Sequence, residues 1–320
     1  MKLSFFTLSA SLLGASAHPK PPKHADFSLV GFAKDNPLGP TTGGYHRYKG
    51  ETVTVTTPAA LISAVNGTTP RTIYLSGTFN LTARLAIGSN KSLIGTRKGA
   101  TILSKGLNIN SQSNVIIRNL GIRGIIGDDG ITIRNSTRVW IDHNEFESGG
   151  FPALGPDTYD GQCDIIRASD WITVSWNYFH DHWKSSLVGN SDALRDVDLG
   201  HLHVTYHHNY WRNEGTRGPA GRFGHQHIYN NLYEDFLYQA IHSRSDNQVL
   251  VEGNDSPNTS PDGDYELDGF ANLGARNDWG PATINITQVG NFTRVPYIYK
   301  LTPLKEMAKV VKAGAGLGKI

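Results

Sequence analysis

Three carboxylates and three cations in the middle of this 320-residue chain have the types and spacing that could do chemistry. Asp129, Asp160 and Asp164 are the carboxylates. The last two are separated by the strand-like run Gly161-Gln-Cys-Asp164, so they need not share a helix face. If this segment belongs to a stacked coil, Asp129 on an earlier turn approaches them. Converging carboxylates repel one another unless a cation intervenes, and calcium is the hard ion suited to oxygen ligands. Aspartates near turns are also common surface residues, so spacing alone leaves both readings open. Asp128 is either a fourth ligand or a plain turn residue. Nothing matches the helix-loop-helix calcium motif, and no histidine pair sits in a helical zinc-protease setting.

The cations are Lys184, in His180-Asp-His-Trp-Lys-Ser-Ser-Leu-Val-Gly189, and Arg217 and Arg222, in Thr216-Arg-Gly-Pro-Ala-Gly-Arg-Phe-Gly224. Pro219 restricts the backbone before it, while Gly218, Gly221 and Gly224 permit tight turns or close ligand approach. The competing reading is a solvated loop with two ordinary arginines. His180, His182, His207, His208, His225 and His227 lie beside aromatics in strand-like runs and read as packing groups. A serine–histidine–aspartate triad could be drawn from Ser185 or Ser186, but no nucleophile elbow is present.

The elements that must position these groups are short β-strands. Examples are Thr72-Ile-Tyr-Leu-Ser76, Val115-Ile-Ile-Arg118, Val139-Trp-Ile141, Trp171-Ile-Thr-Val-Ser175, His203-Val-Thr-Tyr206 and Val249-Leu-Val251. Their β-branched and aromatic content favours strand. No convincing helical period alternates with them, which argues against a doubly wound sheet. Asn119, Asn144, Asn177, Asn209, Asn231 and Asn254 each follow such a run, at gaps of 25, 33, 32, 22 and 23 residues. A unit in the low twenties with insertions is the behaviour of a solenoid. Asparagine suits its corners because it tolerates left-handed backbone, and stacked corners could form an amide ladder. The longest insertions flank Asn144 to Asn209, where binding loops are expected. Pro303 to Val311 has apolar residues at near-helical spacing and should pack over the final coil.

Residues 1–17 read as an export signal: a positive start, an apolar Leu3–Leu13 and the small residues Ala15-Ser-Ala17. Residues 18–320 then read as a single solenoid domain, with His18–His24 a loose tail. Cys163 is the sole cysteine, so no intramolecular disulfide forms, and it reads as a buried small hydrophobe. A net charge of +2 gives no reason to expect a nucleic-acid partner, and no run beyond the start is apolar enough to cross a membrane. Eight glycosylation sequons start at Asn66, Asn80, Asn90, Asn135, Asn254, Asn258, Asn285 and Asn291 and fit a eukaryotic secretory route.

The segments from Gly43-Gly44 to Asn254 resemble the pectate lyases of polysaccharide lyase family one, in particular the secreted fungal branch. The likeness rests on Val139-Trp-Ile-Asp-His-Asn144, Asp160-Gly161 through Asp164-Ile165, Val174-Ser-Trp-Asn-Tyr-Phe-His180, His182 through Gly189, Thr205-Tyr-His-His-Asn209 and Arg217 through Gly224. It implies an all-β fold, a right-handed parallel β-helix with short peripheral helices and a groove of loops on one side. It further implies that Asp129, Asp160 and Asp164 hold Ca2+, that Arg217 is the catalytic base, and that Lys184 and Arg222 bind substrate carboxylates. The implied substrate is polygalacturonate or low-methyl pectin, cut internally by β-elimination by an extracellular monomer. Gly127 departs from the pattern, standing where some bacterial members have another aspartate, and Asn190 replaces a histidine. The competing functions are a calcium-independent pectin lyase on methylated pectin, hydrolysis by paired carboxylates, and a noncatalytic polysaccharide-binding β-helix.

Overall fold

A computed structural model describes residues 26–45, 50–258 and 269–320. The export signal and the tail after it lie outside the described residues. The strands form a parallel β-solenoid of about nine turns. Every pairing between named strands is parallel, each with the strand one turn away.

Three faces run along the coil. Sheet I contains Gly121–Arg123, Glu145–Glu147, Tyr178–Lys184, Tyr210–Thr216, Leu232–Phe236 and Asp255–Asn258. Sheet II contains Ser113–Arg118, Thr137–Asp142, Asp170–Ser175, His203–His207, His225–Tyr229 and Gln248–Glu252. Sheet III contains Leu107–Asn110, Ile131–Arg134, Cys163–Ile166, Leu187–Val188, Ala220–Arg222 and His242–Arg244. The long strand Lys91–Leu103 bends from sheet II into sheet I and joins the two into one 16-stranded sheet.

Parallel stacking places like on like. Phe146, Phe179, Trp211 and Tyr233 share one register and form a buried aromatic column in the lumen. The Phe179 and Trp211 ring centroids are 4.1 Å apart. Burying such a side chain is worth about 1.5–3 kcal/mol, so the column is a main source of cohesion along the coil. Cys163 lies fully buried in the same core, as expected of a small hydrophobe. The helix Pro58–Val65 packs Leu61, Ala64 and Val65 into the early turns.

The corner between sheets II and I is a two-residue bend. Its first residue has positive φ: 52° at His143, 53° at Trp176, 55° at His208 and 51° at Asn230. Its second residue is the ladder asparagine. The Asn177 side chain donates to Asn209 Oδ1 at 3.1 Å, Asn209 to Asn231 at 3.0 Å, and Asn231 to Asn254 at 3.1 Å. Asn119 is not in this column. It occupies the positive-φ position, one residue early, and its Oδ1 accepts from the Gly318 N–H at 2.7 Å. Leu120 stands in its place, and Asn277 extends the ladder at the other end.

The C-terminal helix Leu304–Gly314 forms as expected, but on the flank of the coil. Met307, Val311 and Ala315 pack with Leu232, and Lys312 pairs with Glu234 at 2.6 Å. The chain then runs back along the corners, where the Gly316 N–H bonds the Trp176 carbonyl at 2.7 Å.

Candidate active site

The predicted groups meet where sheet I passes into sheet III. The backbone there is a continuous ladder across turns. Gly130 N–H donates to Gly161 O at 2.9 Å, Gln162 to Ser185 at 2.8 Å, Ser185 to Thr216 at 3.1 Å, and Arg217 to Gln239 at 3.2 Å. Each step advances one strand spacing, about 4.8 Å. Asp129, Asp160 with Asp164, Lys184 and Arg217 therefore sit at one corner on successive turns.

Asp129 and Asp164 are almost buried, 8% and 6% exposed. Asp129 accepts from the Thr132 hydroxyl at 2.5 Å and the Gly161 N–H at 3.0 Å. Asp164 accepts from the Leu187 N–H at 3.0 Å. Burial is the chief reason the Asp129 carboxyl lies above its ordinary range; the Asp160 charge adds to the rise and the Thr132 bond opposes it. Burial also drives Asp164 well upward, reinforced by the Asp129 charge and opposed by Arg217. Gly161 is required here, because a Cβ on it would lie 2.1 Å from Asp164 Oδ1.

Asp160 is the solvent-facing member, 3.6 Å from Lys184 Nζ, and Asp157 of the same loop is 3.3 Å from that nitrogen. Arg217 is half-buried at φ 69°. Among the described residues its guanidinium has no hydrogen-bond or ion-pair partner. Its charge reaches Asp164. The corner thus gathers three carboxylates, with Arg84 approaching Asp129 and Lys184 approaching Asp160, beside an arginine free to engage a ligand.

The structure also places three other residues that the sequence singles out. Asp128 pairs with Arg84, whose guanidinium also lies 3.8 Å from Asp129 Oδ2. Gly127 has φ 65° and open space where a side chain would stand. Arg222 lies at the far end of the strand Ala220–Arg222, with Nε on Asp192 at 2.8 Å and a terminal nitrogen on the Gly189 carbonyl at 3.0 Å. Asp192 belongs to the second long insertion. Arg222 is therefore held by the protein itself at the opposite end of the sheet III strand.

Several organising residues carried no sequence signal. Asp181, Asn213 and Asp235 share one register in sheet I and all have positive φ, 54°, 53° and 57°. This kink redirects the strand ends that carry Trp183-Lys184 and Gly215-Thr216 toward the corner. His182, 2% exposed, contacts the Ser148 hydroxyl at 2.5 Å through Nδ1 and the Lys184 carbonyl at 3.2 Å through Nε2. Burial pulls its pKa down to about 4, so the neutral ring ties the acidic loop to the lysine strand. No triad forms: the Ser185 hydroxyl bonds Glu214, and Ser186 bonds the Cys163 carbonyl. His207 and His208 are buried and neutral, packed against Tyr229 and Trp176, as their strand setting implies.

Among the described residues, the group whose ligand atoms all lie within 4.8 Å is Glu145, Glu147 and His180, on the outer face of sheet I. Arg123 already pairs with both glutamates there, at 2.6 and 3.2 Å.

A model of the pectate lyase family matches residues 1–319. The chain belongs to the pectate lyase family. It is 39% identical to pectate lyase A of Aspergillus niger over 317 residues, 98% of this chain and 95% of that one. It is 40% identical to pectate lyase A of Emericella nidulans, covering 98% of each. A pectate lyase from a Bacillus species, solved in complex with trigalacturonate, superposes with a TM-score of 0.78 at 31% identity, over 91% of this chain and 99% of that one. The protein is accordingly a polysaccharide lyase. Among the described residues no helix is long and apolar enough to cross a membrane.

Proposed function

We propose that this pectate lyase is an exported, calcium-dependent enzyme that cuts α-1,4-polygalacturonate, or pectin with few methyl esters, within the chain by β-elimination. The observation that carries the proposal is the single corner where Asp129 and Asp164, both buried and with raised carboxyls, meet Lys184 and an Arg217 that has no partner among the described residues. The relative solved with trigalacturonate supports the substrate class. The apolar start of the chain and the sequons support export.

Asp129, Asp160 and Asp164 would hold the ion. Their hard oxygen donors and the raised carboxyls of the buried pair fit a divalent cation. When bound, calcium supplies Lewis-acid withdrawal from a uronate carboxylate, acidifying the adjacent C5 proton. Lys184 binds a substrate carboxylate, and its ion pairs with Asp157 and Asp160 are exposed enough to exchange for one. Arg217 takes the proton from C5; the electron pair forms the C4–C5 double bond as the C4–O bond breaks, leaving an unsaturated non-reducing end. A guanidine must be neutral to act as a base, so alkaline conditions favour the step. Arg222, anchored by Asp192 and Gly189, presents its remaining nitrogen to a more distant carboxylate.

The test is absorbance of the unsaturated product on polygalacturonate and on highly methylated pectin, each with calcium or chelator. Strong calcium-dependent absorbance on polygalacturonate is expected. Equal activity after chelation removes the calcium assignment, and cleavage without absorbance indicates hydrolysis instead.

A further inference from the structure

We propose that Phe151, Leu154, Trp183, Leu237 and Tyr238 form a shelf that binds a methyl-esterified galacturonyl unit beside the position of cleavage. This rests on the lyase reading above and extends it to the pattern of esters the enzyme accepts.

Three of the five are exposed apolar side chains. Leu154, Leu237 and Tyr238 are 42%, 38% and 46% exposed. Such exposure is costly unless a ligand covers it. Trp183 and Tyr238 are stacked across two turns, with centroids 6.4 Å apart and planes at 27°. The Phe151 ring meets Trp183 edge-on at 4.9 Å, and the Trp183 ring N–H donates to the Leu154 carbonyl at 2.5 Å.

The intervening turn leaves room for the indole. A Cβ on Gly215 would lie 2.6 Å from the Trp183 carbonyl oxygen and 2.8 Å from its ring. The ring is therefore held in place before any ligand arrives, which spares its ordering cost on binding.

Continuity with the active-site corner identifies the occupant. Trp183 precedes Lys184, and Tyr238 precedes Gln239, whose carbonyl takes the Arg217 N–H and whose side chain bonds Thr216 at 3.0 Å. A uronate chain seated on Lys184 and Arg217 therefore lies beside the segments that carry these rings. A pyranose has apolar C–H faces suited to flat aromatic surfaces. The five shelf side chains carry no cation, so a free carboxylate placed there loses hydration without gaining a partner. A methyl ester avoids that cost and covers its methyl group.

Steady-state kinetics of wild type, Tyr238→Ala and Trp183→Phe on polygalacturonate and on pectins of graded methyl esterification test this. Tyr238→Ala should lower kcat/KM about fivefold on partly esterified pectin and by less than about twofold on polygalacturonate, the scale of one stacking contact. Trp183→Phe keeps an aromatic face and should fall between. Equal losses on both substrates, or none on either, overturn the shelf. A wild type that yields no unsaturated product even from polygalacturonate with calcium overturns the lyase reading itself.

Discussion

Replacing Asp164 by asparagine should stabilise the calcium-free protein at alkaline pH and destabilise it relative to wild type once calcium is added. Asp164 is buried, and its carboxyl is raised by burial and by the neighbouring Asp129 charge. The folded state therefore keeps a proton that the unfolded chain releases near 3.8. The sign follows by linkage: the group's contribution is fully present below that value and is lost as pH rises toward the folded value, at about 1.4 kcal/mol per pH unit. Above both values the cost is that of a buried carboxylate only partly offset by Arg217. With the Leu187 N–H bond still satisfied by asparagine, removing the charge should gain about 1–3 kcal/mol.

Calcium reverses the order because it binds the folded wild type. At about a thousandfold excess over Kd it adds about 4.1 kcal/mol, more than removing the charge gains, and the variant, one carboxylate short, gains much less. Urea unfolding of both proteins at about pH 8, in chelator and in calcium, reads both arms. If Asp164→Asn is the less stable protein in chelator, or if calcium raises both midpoints equally, the corner is not a cation site held open by buried carboxylates.

Arg217→Lys should lower kcat by about 10²–10⁴-fold, the usual worth of a positioned base, with little change in substrate binding; near-normal turnover would refute its role. Asn231→Ala removes an acceptor from the Asn209 N–H at 3.0 Å and a donor to the Tyr206 carbonyl at 3.1 Å, all buried. It should cost about 2–4 kcal/mol in urea unfolding, against about 1 kcal/mol for Asn277→Ala at the partly exposed end of the ladder. Equal costs would show that the ladder does not act as a buried hydrogen-bonded unit.

The coil was legible because its repeats put the same residue type at the same corner. Asparagine after a short apolar run marked the bend between sheets II and I, and stacking made the spacing visible. The alignment slipped at Asn119, where asparagine serves the other requirement of the bend, positive φ, and bonds the returning C-terminal chain. Asn277 escaped notice because no apolar run immediately precedes it. The acidic corner was legible as residue types, and Asp129, Asp164, Lys184 and Arg217 do converge. Arg222 shares a glycine-rich run with Arg217 in sequence, but it ends the strand Ala220–Arg222 and is held there by Asp192 and Gly189.

The least legible feature is also the one that shapes the corner. Asp181, Asn213 and Asp235 are ordinary polar residues until the register aligns them, and only then does a shared kink appear. A lone positive-φ residue in a strand costs local stability. Repeated on three adjacent strands, the kink keeps their pairing while turning all three ends together. The Asn213 side chain bonds Asp181 across the kink. Beyond it, Trp183 and Lys184 stack on Gly215 and Thr216, so one bend sets both the apolar shelf and the lysine. Catalytic groups can thus lie many residues apart and still keep fixed spacing, because the separation is set by strand stacking and the direction by the shared bend.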